Sequence, residues 1–149
     1  MGFFWWLILT ILVMNRVIFH NPIPQKLLPT LFFLFAPPVI GFIALTKLLG
    51  GLTPFGNILY YFGLFLFILL LFQAKMFIKL KFNLPWWAYS IPLDALAIGT
   101  LLMYEESGSP FFKVLSWTVF IFLNIMILIL VLKTTFAIKN KELCVEEVE

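Results

Sequence analysis

Phe62-Gly63-Leu64-Phe65-Leu66-Phe67-Ile68-Leu69-Leu70-Leu71-Phe72 is an apolar run without a charge and without alternation of polar and apolar positions. A membrane-barrel strand alternates over about ten positions, so this stretch reads as helix. It lies inside an uncharged segment, 54–74. That is about the 20 residues a helix needs to cross a hydrocarbon core about 30 Å thick at about 1.5 Å per residue.

Outward from this run, the charged clusters delimit four more candidates, 1–15, 27–46, 84–104 and 110–132. With flanking turns the helices are expected at about 2–19, 27–49, 54–79, 84–104 and 110–138. Residues 1–138 then form the transmembrane region and 139–149 a charged tail. The first segment could be taken for a secretory signal. Nothing basic precedes Phe3, however, and Arg16 follows the apolar run, so it reads as a membrane helix.

Composition agrees. The 149 residues are 63% hydrophobic, 19% aromatic and 11% charged, with a mean hydropathy of +1.09. A soluble domain carries about a quarter charged residues, and disorder needs low hydrophobicity and high charge. The lone Cys144 excludes an intrachain disulfide scaffold. The expected class is an all-α, multi-pass integral membrane protein with the lipid bilayer as its partner and no nucleic acid.

Basic residues favour the cytoplasmic side. With five alternating helices, Arg16, Lys26, Lys75, Lys79, Lys81, Lys133, Lys139 and Lys141 share one side, and Lys47 and Lys113 the other. The tail, with Glu142, Glu146, Glu147 and Glu149, is therefore expected in the cytoplasm and the first residues on the far side. The membrane is expected to be the cell (inner) membrane.

A repeat is visible. Leu28-Pro29 recurs as Leu84-Pro85, Thr53-Pro54-Phe55 as Ser109-Pro110-Phe111, and Ile58-Leu59 as Val114-Leu115, each pair 56 apart. Two hydrophobic hairpins could match by chance, but the matched positions carry helix-end chemistry. Thr53 and Ser109 suit an N-cap and the following Pro the first helical position. Pro37, Pro38 and Pro92 fall inside the preceding helices, where a missing N–H kinks the chain. Each unit is then a kinked helix followed by a straight one. Extended backwards, position 57 maps onto position 1, so the first helix reads as the second half of an earlier hairpin.

The stretches Phe4-Trp5-Trp6-Leu7, Asn15-Arg16-Val17-Ile18-Phe19-His20, Ala36-Pro37-Pro38-Val39-Ile40-Gly41-Phe42 and Trp86-Trp87-Ala88-Tyr89-Ser90-Ile91-Pro92-Leu93 resemble the tellurite-resistance/dicarboxylate transporter family, which includes the plant slow-type anion channels. The resemblance runs from Gly2 to about Lys141. It implies a ten-helix channel fold of five hairpins around a central pore, assembled as a homotrimer, with kinked inner helices lining the pore. This chain resembles helices six to ten, half of that fold. The implied function is the C-terminal portion of a channel or transporter for small anions or dicarboxylates, the range being malate, sulfite, chloride, nitrate or tellurite. The alternative is a non-transporting remnant or assembly subunit that needs a separate N-terminal half.

Two faces are candidates for pore lining. Ser90, Asp94 and Ala97 share a face at i, i+4 and i+7. A carboxylate at mid-membrane costs roughly 2.5–3.5 kcal/mol on insertion scales, so Asp94 should face a cavity or a partner; the alternative is a bond that repairs the Pro92 break. A fixed negative charge would repel an anion, so Asp94 is expected to tune rather than bind. In the other kinked helix, Thr30, Pro37, Gly41 and Ala44 form a stripe of mostly small residues, suited to pore lining or to tight packing. Phe62, Phe65, Phe67 and Phe72 are expected to face lipid or a subunit, and Trp5, Trp6, Trp86 and Trp87 to lie in the interfacial belt.

No enzymatic chemistry is expected. His20 is the only His and reads as a loop residue, Cys144 as a plain thiol, and Gly50-Gly51 as a turn. No metal site and no cofactor are expected. Lys75, Lys79 and Lys81 could draw anions to the inner mouth, although orienting the chain already accounts for them.

Overall fold

The computed structural model describes residues 2–19, 25–73 and 82–140. His20, Lys75, Lys79, Lys81, Lys141, Cys144 and the glutamates of the tail lie outside the described residues. Every element is helical: α1 (Gly2–Phe19), a 3-10 segment (Gln25–Leu34) running into α2 (Ala36–Leu49), α3 (Pro54–Phe72), a second 3-10 segment (Leu84–Tyr89) running into α4 (Ser90–Ser107), and α5 (Pro110–Lys139). No strand occurs among the described residues. The all-α class with five helices is as the sequence indicates.

Three of these stretches are long and apolar enough to cross a bilayer: Leu28–Leu49, Pro54–Phe72 and Pro110–Lys139. α4 is less apolar, because Asp94, Glu105 and Glu106 fall within its 18 residues.

The two repeats take the same form. Each opens in 3-10 geometry, becomes α-helical, ends on a left-handed glycine and turns into a Pro-led helix. Gly50 (φ 70°) and Gly108 (φ 63°) close α2 and α4, and their N–H groups donate to the carbonyls of Thr46 and Tyr104 at 3.0 and 2.9 Å. An L side chain rarely adopts such a φ, which is why glycine ends both helices. Pro54 and Pro110 then start α3 and α5 at a position whose N–H has no intrahelical partner.

The kinks have a specific form. Pro37 and Pro38 stand in the first turn of α2, and Pro92 is the third residue of α4. The break is thus a change from 3-10 to α-helix, with the prolines just past it, where a missing N–H costs little. The two N-caps also differ. Thr53 Oγ1 accepts the Gly56 N–H at 3.1 Å. Ser109 makes no side-chain cap; its backbone carbonyl accepts the Phe112 N–H at 3.1 Å instead.

α2 sits between α3 and α4. Its Val39 is fully buried, against Gly63 of α3 on one side and Gly99 of α4 on the other. Phe42 packs on Tyr60 with ring centroids 5.3 Å apart. The Tyr60 hydroxyl donates to Thr100 Oγ1 (3.1 Å), and the Thr100 hydroxyl donates to the Leu96 carbonyl (2.7 Å), so one buried chain of bonds joins α3 to α4. Phe32 and Tyr89 bring the two 3-10 segments together edge to face at 4.7 Å. α1 is held by its Trp6, whose indole N–H donates to the Leu34 carbonyl at 3.0 Å and whose ring meets Phe62 at 6.0 Å.

Two sequence expectations are corrected by this packing. Trp6 and Trp86 are buried, whereas Trp5 and Trp87 are exposed, so only two of these four tryptophans are free to meet an interface. Phe67 is buried against Phe35 at 5.4 Å rather than facing outward, because it falls on the side of α3 that meets α2. Phe62, Phe65 and Phe72 are exposed.

Candidate functional site

The two broken helices stand side by side, and each divides its surface in the same way. On α2, Val39, Phe42 and Thr46 are buried, while Ile40, Ala44 and Lys47 are exposed, continuing a line that starts at Thr30 and Phe33 in the 3-10 segment. On α4, Leu96, Gly99, Thr100 and Met103 are buried. Its exposed residues, Ile91, Asp94, Ile98, Leu101 and Glu105, recur every three or four positions and so form one stripe. Both stripes are apolar or small-residue surfaces through their middle, apart from Asp94.

The residues singled out from sequence divide between exposed and packed positions. Thr30 and Ala44 are exposed, and Pro37 is half-buried. Gly41 is half-buried and turned towards α3; a Cβ there would lie 3.3 Å from Leu59 Cδ1. Ser90 is half-buried, and its hydroxyl donates to the Trp87 carbonyl at 2.8 Å, tying down the 3-10 to α junction. Ala97 is buried.

Asp94 is exposed and opens on a groove of about 300 Å³ between α4 and α5. α4 contributes Asp94, Ala97, Ile98 and Leu101 to the groove, and α5 contributes Ser116, Trp117 and Phe120. The Ser116 hydroxyl is committed to the Lys113 carbonyl at 2.9 Å. Among the described residues the Asp94 carboxylate has no hydrogen bond and no ion pair, so it makes no bond across the Pro92 break.

Ile91, Ile98 and Leu101 belong to the α4 stripe, and sequence reading passed over them. The signal was present, since counting three and four from Asp94 reaches each of them. What concealed it is that apolar residues cover every side of this helix, so hydropathy alone does not say which side is open.

At the opposite end, α5 is strapped to the second 3-10 segment. Lys133 Nζ lies 4.4 Å from the centre of the Trp86 ring and 5.9 Å from that of Phe82, and the Trp87 indole N–H donates to Thr134 Oγ1 at 3.1 Å. Among the described residues no three His, Cys, Asp or Glu come together.

Paired helices with 3-10 openings, an αL glycine at each hairpin and an open stripe on each broken helix form a repeated membrane architecture. A family model described as voltage-dependent anion channel, SLAC1, matches residues 1–135. The chain belongs to the SLAC1 family. The match takes in α1 to α4 and most of α5, including the Ala36-Pro37-Pro38 and Trp87-Ala88-Tyr89-Ser90 segments that suggested it.

Several curated proteins are similar to this SLAC1-family chain. The S-type anion channel SLAH2 of Arabidopsis thaliana is 30% identical over 115 residues, which cover 77% of this chain and 22% of that protein. The S-type anion channel SLAH1 of the same plant is 30% identical over 135 residues, 86% of this chain and 35% of that protein. The uncharacterized transporter MJ0762 of Methanocaldococcus jannaschii is 31% identical over 121 residues, 72% of this chain and 35% of that protein. The chain therefore spans about a fifth to a third of these relatives. No solved structure matches it.

Proposed function

We propose that this chain forms helices six to ten, the C-terminal portion, of a channel or carrier that passes small anions across the cell membrane. A five-helix N-terminal portion completes the pore, the assembly is a homotrimer and the C-terminus is cytoplasmic. The substrate range is chloride, nitrate, sulfite, malate or tellurite. The observation that carries this reading is the pair of open stripes on the two broken helices, in a chain whose family and curated relatives are anion channels and transporters by name.

The proposed path is bounded by Thr30, Pro37 and Ala44 from the α2 side and by Ile91, Asp94 and Ile98 from the α4 side. Gly41, Ser90 and Ala97 stand just behind it and set the helix spacing. An anion path needs a favourable potential without a trap, so that ions enter and leave again. Broken helices suit this, because helix ends supply partial charges in place of fixed ones. No basic side chain stands between Thr30 and Ala44 or between Ile91 and Leu101. An anion on this route meets no lysine or arginine that would hold it.

The test is anion flux into proteoliposomes, for this chain alone and after co-reconstitution with the five-helix N-terminal portion of a family member. Flux is expected only with both. Silence in both reconstitutions would favour a non-transporting remnant.

A further inference from the structure

Along the two stretches that bound the anion path, 30–44 and 91–101, Asp94 is the one charged residue. Its carboxylate has no hydrogen bond and no ion pair among the described residues. The side chains beside it are apolar: Ile98 and Leu101 of α4, Trp117 and Phe120 of α5. Ser116 stands in the same groove, but its hydroxyl already donates to the Lys113 carbonyl.

The cations of the elements packed around α4 stand at its ends. Lys113 of α5 sits over Tyr104 at 6.0 Å, and Tyr104 lies about 15 Å along α4 from Asp94 at about 1.5 Å per residue. Lys133 sits over Trp86 at 4.4 Å, on the far side of the Pro92 break, and Lys47 is in the last turn of α2. Glu105 and Glu106, in the last turn of α4, carry the same sign as Asp94. Midway through the membrane the carboxylate therefore keeps its full charge, among walls that screen it poorly.

An uncompensated charge in the wall of a path sorts ions by their own charge. A dianion meets twice the repulsion that a monoanion does. At roughly 10 Å in an effective dielectric of about 20, the additional repulsion lowers entry about tenfold. Lysines at the mouths act in the opposite sense, since they draw a dianion more strongly, and salt screens them.

We propose that Asp94 is a specificity-determining residue of the anion path, which admits singly charged anions and turns back doubly charged ones. The inference rests on the path reading given above. It narrows the substrates to the class of chloride and nitrate, with malate and similar acids crossing only in a singly charged form.

The experiment measures nitrate and malate flux at neutral pH, where malate carries two charges, through the chain co-reconstituted with the five-helix N-terminal portion of a family member. The wild-type pair is expected to pass nitrate in preference to malate. Asp94→Asn, which keeps the shape and removes the charge, should raise the malate-to-nitrate ratio roughly tenfold. Asp94→Glu should keep the wild-type ratio, and raised salt should leave the preference in place. A second variant leaves Asp94 untouched: Ile98→Cys, one turn along the same face, is labelled after folding in a Cys144→Ser background. A positively charged thiosulfonate should raise the ratio and a neutral reagent of similar size should not. Flux whose ratio is unmoved by Asp94→Asn, or by the positive label if that variant does not fold, overturns the proposal and leaves the path standing. No flux of either anion through the wild-type pair overturns the path reading, and the role of Asp94 with it.

Discussion

Val39 fills the space that a side chain on Gly99 would need. A Cβ on Gly99 would lie 2.7 Å from Val39 Cγ1, closer than carbon atoms approach without displacement. The same Val39 bars a side chain on Gly63 of α3, where the Phe35 carbonyl oxygen would also lie only 3.3 Å away. One β-branched residue, stiff at χ1, thus sets the spacing of three helices.

Gly99→Ala is therefore expected to destabilise the chain by about 1–3 kcal/mol, the usual cost of overpacking a filled core. Gly63→Ala should cost at least as much, because backbone as well as side chain is in the way. Unfolding of the purified chain in mixed micelles, followed by tryptophan fluorescence, measures both. Val39→Ala combined with Gly99→Ala should recover part of the loss, and strictly additive effects would show that the two residues do not share this space.

The Tyr60–Thr100 bond predicts an ordering of variants. Thr100→Val leaves a buried hydroxyl on Tyr60 without its acceptor and should cost about 1–3 kcal/mol. Tyr60→Phe removes the donor while Thr100 keeps its bond to the Leu96 carbonyl, so about 0.5–1.5 kcal/mol is expected. The double variant should be less destabilised than the sum of the two, as read from the same unfolding curves.

The N-caps of the two repeats should respond differently. Thr53→Ala removes a side-chain acceptor from the Gly56 N–H and is expected to cost about 1 kcal/mol. Ser109→Ala removes no cap bond and should fall within about 0.5 kcal/mol of wild type. Equal losses at both positions would contradict the asymmetry.

Helix α1 offers a local test. Trp6→Phe keeps most of the ring but removes the N–H that bonds the Leu34 carbonyl across 28 residues of chain. Amide hydrogen exchange within α1 should then be faster, while exchange in α3 and α4 is unchanged.

These particulars show what could be read from the sequence and what could not. The membrane class followed from stretches such as 62–72, where an apolar run without the alternation of a barrel strand satisfies its backbone in lipid as a helix. The repeat and its punctuation at Gly50, Pro54, Gly108 and Pro110 were legible because those residues act through local geometry. The family was legible in Ala36-Pro37-Pro38 and Trp87-Ala88-Tyr89-Ser90. The 3-10 openings were not, since proline reports a break but not the helix type on its N-terminal side. Nor was the direction of each helix face. Trp6, Trp86 and Phe67 are buried by tertiary contacts that an all-apolar helix does not announce, and Gly41 and Ala97, small residues like any pore lining, turned out to be half-buried and buried. Asp94 could be read as needing a cavity or a partner, and its groove with α5 became visible only with both helices in place.

The most direct test of the central claim is thiol modification of the reconstituted pair of halves, in a Cys144→Ser background. Ala44→Cys on α2 and Ile98→Cys on α4 are treated with a negatively charged thiosulfonate while chloride flux is recorded. Val114→Cys, exposed on α5, serves as the control. If the open stripes of α2 and α4 bound the anion path, modification at 44 and 98 cuts flux several-fold and modification at 114 leaves it unchanged. Flux that persists after complete labelling at 44 and 98 would place the path elsewhere and contradict the account.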